Sequence, residues 1–176
     1  MKVTRAQVVD GAFQVVREHG LSALSMRRLA EDLGVQAGAL YYHVASKQDL
    51  LAAVAARIID HGSGAATDPR AAAQALRAAL LRVRDGAEVV SFARAFRPDL
   101  LSPTRDLQRL FAGRFAAREA GWAARTLVHY VLGFVAEEQN RAELVRAGIL
   151  DGDLEEAAGS AAAFLFGVDA ILGGLE

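Results

Sequence analysis

The 176-residue chain has no cysteine, which excludes disulfides, thiolate catalysis and cysteine-ligated zinc. It has only three prolines, at positions 69, 98 and 103, so little interrupts a helix. Charge of either sign is not in excess. The net charge is −1, residues 1–60 hold seven Lys/Arg and six Asp/Glu, and the remainder holds thirteen and fifteen. Bulk charge is therefore no argument for a nucleic-acid partner, and any such case must rest on local placement of a few cations. Long apolar runs are also missing. The most apolar stretch, Ala157 to Val168, is too short for a bilayer, and Met1 is not followed by an apolar core of signal-peptide length. A cytoplasmic protein with no membrane partner is expected.

Catalytic signatures are equally scarce. The chain has no Glu-x-x-His pair for a diiron bundle, no His-x-x-x-His, no glycine-rich phosphate loop and no nucleophile elbow. Its four histidines, His19, His43, His61 and His129, are scattered. No enzyme, metal site or cofactor is expected.

What the chain does have is Ala, Leu and Arg in abundance and 53% hydrophobic residues, without the alternation that marks strands. The expected fold class is all-α. Thr4 and Gln7 form a capping box before the stripe Val8, Val9, Ala12, Phe13 and Val16. Ser46 caps a helix with Asp49 in its first turn and Leu50, Leu51, Val54 and Ile58 as its stripe. His61-Gly62-Ser63-Gly64 breaks that helix, and Asp68-Pro69 opens the next, expected to reach Asp85-Gly86. A short helix before Arg97-Pro98 follows, then one from Ser102-Pro103 to near Gly121. A longer helix spans Trp122 to about Val145, and a last one Leu154 to Leu172.

The stretch from Ser25 to Lys47, SMRRLAEDLGVQAGALYYHVASK, reads as two short helices joined by a tight turn. Gly34 stands where the first must stop, since glycine takes the left-handed conformation at little cost. Leu29 and Leu33 anchor the first helix, Val35 and Leu40 the second, expected over Gln36–His43. Gln36, Ala37, Ala39, Tyr42 and His43 are then left over, and a core has no need of them.

These residues resemble the tetracycline-repressor family of transcriptional regulators. The resemblance is carried by Gly34-Val35-Gln36-Ala37-Gly38-Ala39-Leu40-Tyr41-Tyr42-His43-Val44, by Ser46-Lys47 and by Met26 to Ala30. It implies a three-helix DNA-binding domain with a helix-turn-helix over 1–46, a connecting helix over 47–62, and a larger helical domain over 63–176 for effector binding and dimerisation. In that reading Lys47, Tyr41 and His43 hold phosphates, Gln36, Ala37 and Tyr42 read bases, Arg27 reaches the flank, and Gly38 lets the backbone come close. Ala39 replaces a Ser or Thr found in many relatives, so one phosphate contact is lost. The partners implied are a double-stranded DNA operator, a small-molecule effector and a second copy of the chain. The competing reading is a helical protein–protein adaptor without DNA binding.

Candidates to line an effector pocket are His61, Phe92, Arg94, Phe96, Phe111, Phe115, His129, Tyr130 and Phe134. Aromatics at helical spacing are more often core than ligand site; His129 and Arg94 stand apart because a polar group facing a cavity needs a partner. Arg84-Asp85-Gly86-Ala87 and Leu132 to Gln139 resemble the tetracycline-responsive subclass, but Val90 stands where that subclass has a metal-chelating histidine. A hydrophobic or aromatic effector is expected in place of magnesium-tetracycline. For the dimer interface, Leu154, Ala158, Ala161, Leu165, Val168 and Leu172 step by fours and threes as a coiled-coil seam, with Gly159, Ala163 and Gly167 as a second line of small residues.

Overall fold

The computed structural model describes residues 3–60, 66–97, 102–152 and 161–175. Among these it contains nine α-helices and no strand. They are α1 (Arg5–His19), α2 (Met26–Asp32), α3 (Ala37–Tyr41), α4 (Lys47–Asp60), α5 (Pro69–Leu81), α6 (Gly86–Phe96), α7 (Ser102–Phe111), α8 (Ala117–Arg146) and α9 (Ala161–Gly173). A single 3-10 turn, Leu21–Ala23, joins α1 to α2. The expected all-α class is the observed one.

Helix starts follow the side chains that satisfy orphan amides. Gln7 N donates to Thr4 Oγ1 (3.3 Å) while Thr4 N donates to Gln7 Oε1 (2.9 Å), the reciprocal box read from the sequence. Asp68 accepts from Ala71 N at 2.8 Å, with Pro69 in the first turn of α5. Asp49 N donates to Ser46 Oγ at 3.1 Å before α4.

Two ends differ from expectation. Helix α5 stops at Leu81, short of Asp85-Gly86, because Gln139 on α8 takes over the turn: its Nε2 donates to Leu80 O (3.2 Å) and Val83 O (2.8 Å), and its Oε1 accepts from Ala87 N (3.1 Å). Helix α7 stops at Phe111, not near Gly121, because the amides of Arg114 and Phe115 both turn back to Phe111 O and α8 begins at Ala117. The break expected at residues 61–64 lies outside the described residues, as does the start of the last helix.

Helix α4 packs on α1 and again on α6, so it belongs to both halves of the molecule. Its buried Leu50, Leu51, Val54, Ile58 and Ile59 join one continuous core with Val8, Phe13, Val16, Leu29, Leu40, Val90, Ala93, Leu127 and Val131. Burying a side chain of this size contributes about 1.5–3 kcal/mol.

Candidate nucleic-acid interface and effector domain

The interface is built from the turn outward. Ser25 Oγ accepts from Arg28 N (3.1 Å) to start α2. At its end Gly34 sits at φ 65°; Gly34 N bonds Glu31 O (3.1 Å) and Val35 N bonds Ala30 O (2.9 Å). This six-to-one and five-to-two pair turns the chain sharply and leaves α3 docked by Leu40, which is fully buried. Helix α3 is shorter than expected, Ala37–Tyr41. Leu40 O takes the amides of both His43 (2.9 Å) and Val44 (3.0 Å), and buried Val44 closes the loop beneath.

With Leu40 inward, Gln36, Ala37, Gly38, Ala39, Tyr41 and Tyr42 are all exposed, and His43 is half-buried. Tyr42 is 84% exposed, its ring meeting only the edge of His43 at a centroid distance of 5.2 Å. A tyrosine that open contributes nothing to a core. Lys47 is exposed at the first residue of α4. Arg27 lies on the same unit but is already bonded to Glu31 (2.9 Å), which holds its guanidinium above the ordinary value, so reaching DNA requires exchanging that partner. Every predicted DNA-contact residue is therefore accessible or half-accessible on one small unit.

The unit is tied to the rest of the chain by contacts between distant residues that the sequence reading did not foresee. Asp85, at φ 55° before α6, does not cap its own helix. Its Oδ2 accepts instead from Leu21 N, at the end of α1, at 2.8 Å. Gly20 beside it is at φ 84°, and a Cβ there would lie 2.6 Å from the same carboxylate oxygen, so only glycine fits. At the other end of α6, Arg97 bonds Asp49 in the first turn of α4 (3.1 Å). The available signal was Asp-Gly at 85–86, a dipeptide that favours left-handed backbone.

The candidate effector aromatics fall into three groups. Phe92 and Phe96 pair edge to face at 4.5 Å on the exposed side of α6; Phe111 and Phe115 pair at 6.1 Å, with Phe111 in the core. Tyr130, Phe134 and Phe164 form a third cluster, in which Tyr130 Oη donates to Phe164 O (3.0 Å). His129 is exposed on α8, away from the interior, and so does not face an internal cavity. His61 lies outside the described residues. Arg94 is half-buried, donating through Nη1 to Thr104 Oγ1 on α7 (2.5 Å). Burial, and then the charge of Arg125, pushes its pKa below the ordinary value. Clefts of about 760 Å³ beside Arg57 and Arg97, and about 480 Å³ beside Arg84 and Glu143, lie at the junction of the two halves; none of the candidates lines either.

The described members of the expected dimer seam divide between the chain's own core and its surface. Val168 is fully buried within its own chain, Leu165 and Leu172 are half-buried, and of the described members only Ala161 is exposed. Leu154 and Ala158 lie outside the described residues. Of the small-residue line, Gly167 faces inward, since a Cβ there would fall 2.0 Å from Tyr130 Oη, whereas Ala163 is exposed and Gly159 lies outside the described residues. Val168 turns in because Phe164, clasped by Tyr130 and stacked under Arg77 (5.2 Å), fixes the rotation of α9. Phe166 is left outward, 78% exposed.

The chain matches the sequence profile described as "Bacterial regulatory proteins, tetR family" over residues 8–54, and that of the "Tetracyclin repressor-like, C-terminal domain" over residues 62–164. It is 30% identical to tetracycline repressor protein class D of Escherichia coli, across 99% of this chain and 90% of that one. Mycobacterium smegmatis BioQ superposes with a TM-score of 0.84 at 35% identity, covering 98% of this chain and 97% of its own. BioQ solved with its natural double-stranded DNA operator superposes at 0.76, with 33% identity and 98% of each chain covered.

Proposed function

Because the chain belongs to the tetR family of bacterial regulatory proteins, we propose that it is a cytoplasmic, effector-controlled repressor that binds a palindromic operator as a homodimer. The observation that carries this reading is the α2–turn–α3 unit. A glycine-terminated hairpin anchors α3 by buried Leu40, with Val35 packed beside the turn, and leaves Gln36, Ala37, Gly38, Tyr41 and Tyr42 outside. Gln36, Ala37 and Tyr42 take the base edges, while Tyr41, His43 and Lys47 hold the backbone that sets register. Lys47 adds its charge to the free amides at the start of α4.

Two such units must lie about 34–36 Å apart, or somewhat more, to enter successive major grooves. The copy that supplies the second unit covers the outer faces of α8 and α9. Helix α9 has a single charged residue, Asp169, already held by Arg70 through Oδ1 (2.7 Å) and Oδ2 (3.3 Å), yet it presents Phe166 to solvent. Leu144, near the end of α8, and Ile149, just beyond it, are 39% and 68% exposed. A helix apolar on both sides is covered on both.

The effector acts from the C-terminal domain through α6, which grips the DNA-binding unit at both ends through Asp85 and Arg97. A ligand preferring the conformer with misplaced heads releases DNA, and it needs roughly 5.5 kcal/mol of preference to empty a nearly full operator. Val90 is fully buried and cannot chelate, which supports an effector other than magnesium-tetracycline.

The test is selection of bound duplexes from a random pool, sequenced after several rounds. The repressor enriches one inverted repeat. A pool that stays random rules the reading out and leaves the helical adaptor.

A further inference from the structure

Arginines at the buried seams of this molecule meet carboxylates. Arg77 is bonded to Glu138 (3.1 Å from Nε), Arg84 to Glu143 and Arg57 to Asp10. Arg94 is the departure. It is half-buried between α6 and α7, and among the described residues no carboxylate pairs with it. Its hydrogen-bond partner is a neutral hydroxyl, Thr104 Oγ1 at 2.5 Å, and the charge that acts on it is a second cation, the exposed Arg125 on α8. A guanidinium carries five donors, and one bond to a hydroxyl leaves most of them unspent. Withdrawing such a cation from water beside a like charge costs free energy that an incoming anion returns.

We propose that Arg94, with Thr104 and Arg125, is the anchor for a carboxylate on the effector, so that the ligand is an organic acid with an apolar body. The guanidinium fork matches the two oxygens of a carboxylate. Because Thr104 Oγ1 already accepts from Arg94, its own hydroxyl proton is free to donate to the same group. Arg125 supplies the second charge from α8. The position also suits a trigger, since Arg94 is one helical turn before Arg97, the residue that holds Asp49 at the start of α4. Filling the site pulls on the same end of α6 that positions the heads. This inference rests on the effector reading above and narrows its ligand class.

The experiment compares acids with their primary amides: benzoate with benzamide, 2-naphthoate with 2-naphthamide, decanoate with decanamide. The readout is the melting midpoint of the dimer at fixed protomer concentration and ionic strength. At least one acid in millimolar excess raises the midpoint saturably, and its amide does not. Arg94→Gln weakens that response roughly 10- to 100-fold, Arg94→Lys retains part of it, and Arg125→Gln weakens it less. Without ligand, Arg94→Gln melts no lower than the parent, because it removes an unpaired cation. An amide that stabilises as well as its acid, a parent midpoint unmoved by all three acids, or an undiminished response in Arg94→Gln overturns the proposal. Gel shift on the selected operator separates the two readings: a parent that selects no operator sinks the regulator and leaves the acid site to be judged on the melts alone.

Discussion

The contact between Asp85 and Leu21 N puts a number on how tightly the effector domain holds the reading head. It is a charge-assisted hydrogen bond of 2.8 Å in a partly buried setting, joining residues 64 apart in sequence. Bonds of that kind contribute about 1.5–3 kcal/mol, and partial exposure places this one near the lower end. Asp85 also sits in the left-handed region at φ 55°, which aspartate tolerates and alanine resists by about 1 kcal/mol. Asp85→Ala removes the acceptor and adds strain, for a loss of about 2.5 kcal/mol. Asp85→Gly removes the acceptor but relieves strain, for a loss of about 1 kcal/mol. Asp85→Asn keeps an acceptor oxygen and a residue at ease in that backbone, and loses only the charge. For a chain of this length each kcal/mol moves the midpoint by about 2–4 °C. Asp85→Ala should therefore melt roughly 5–10 °C below the parent, and the Gly and Asn variants about 2–4 °C below, by calorimetry at fixed protomer concentration. Operator affinity by gel shift should fall in the same order, since a head released from this bond samples orientations unsuited to the groove. If Asp85→Gly melts as low as Asp85→Ala, backbone strain plays no part. If all three melt with the parent, the bond does not hold the domains together.

Lys47→Ala should weaken binding to every duplex and flatten its dependence on salt by about one counterion, read by gel shift across a salt series. Tyr42→Ala should change which sequences are enriched in selection, and an unchanged operator would move base reading to Gln36 and Ala37. Phe166→Glu should give a monomer in sedimentation with lost operator affinity, because two carboxylates cannot share the apolar surface of α9; a stable dimer would move the interface elsewhere. Tetracycline with magnesium should leave the operator complex intact, and release at micromolar drug would mean that Val90 does not bar a metal-bound ligand.

The local features read well from the sequence because their causes are local. Thr4 with Gln7, Ser25, Ser46 and Asp68 each cap the helix that they precede, and Gly34 ends α2, within four residues of chain. The open face of α3 follows from the same short range, since fixing Leu40 inward turns Gln36, Ala37 and Tyr42 outward. What misled was anything settled between distant segments. Gln139 ends α5 from 59 residues away, by binding the carbonyl of Leu80, and no pattern within α5 announces it. Helix α9 shows the difficulty most plainly. Its sequence offers two apolar lines, and periodicity alone cannot say which of them faces the chain and which a second copy. The choice is made by Tyr130, 34 residues earlier, whose hydroxyl donates to Phe164 O and whose ring fills the space over Gly167. That single contact turns Val168 inward and Phe166 outward, and so decides which surface is left for a partner. A substitution at Tyr130 should therefore disturb assembly although the residue belongs to the chain's own packing, while Gly167→Ala, which meets the same hydroxyl from the other side, should do the same.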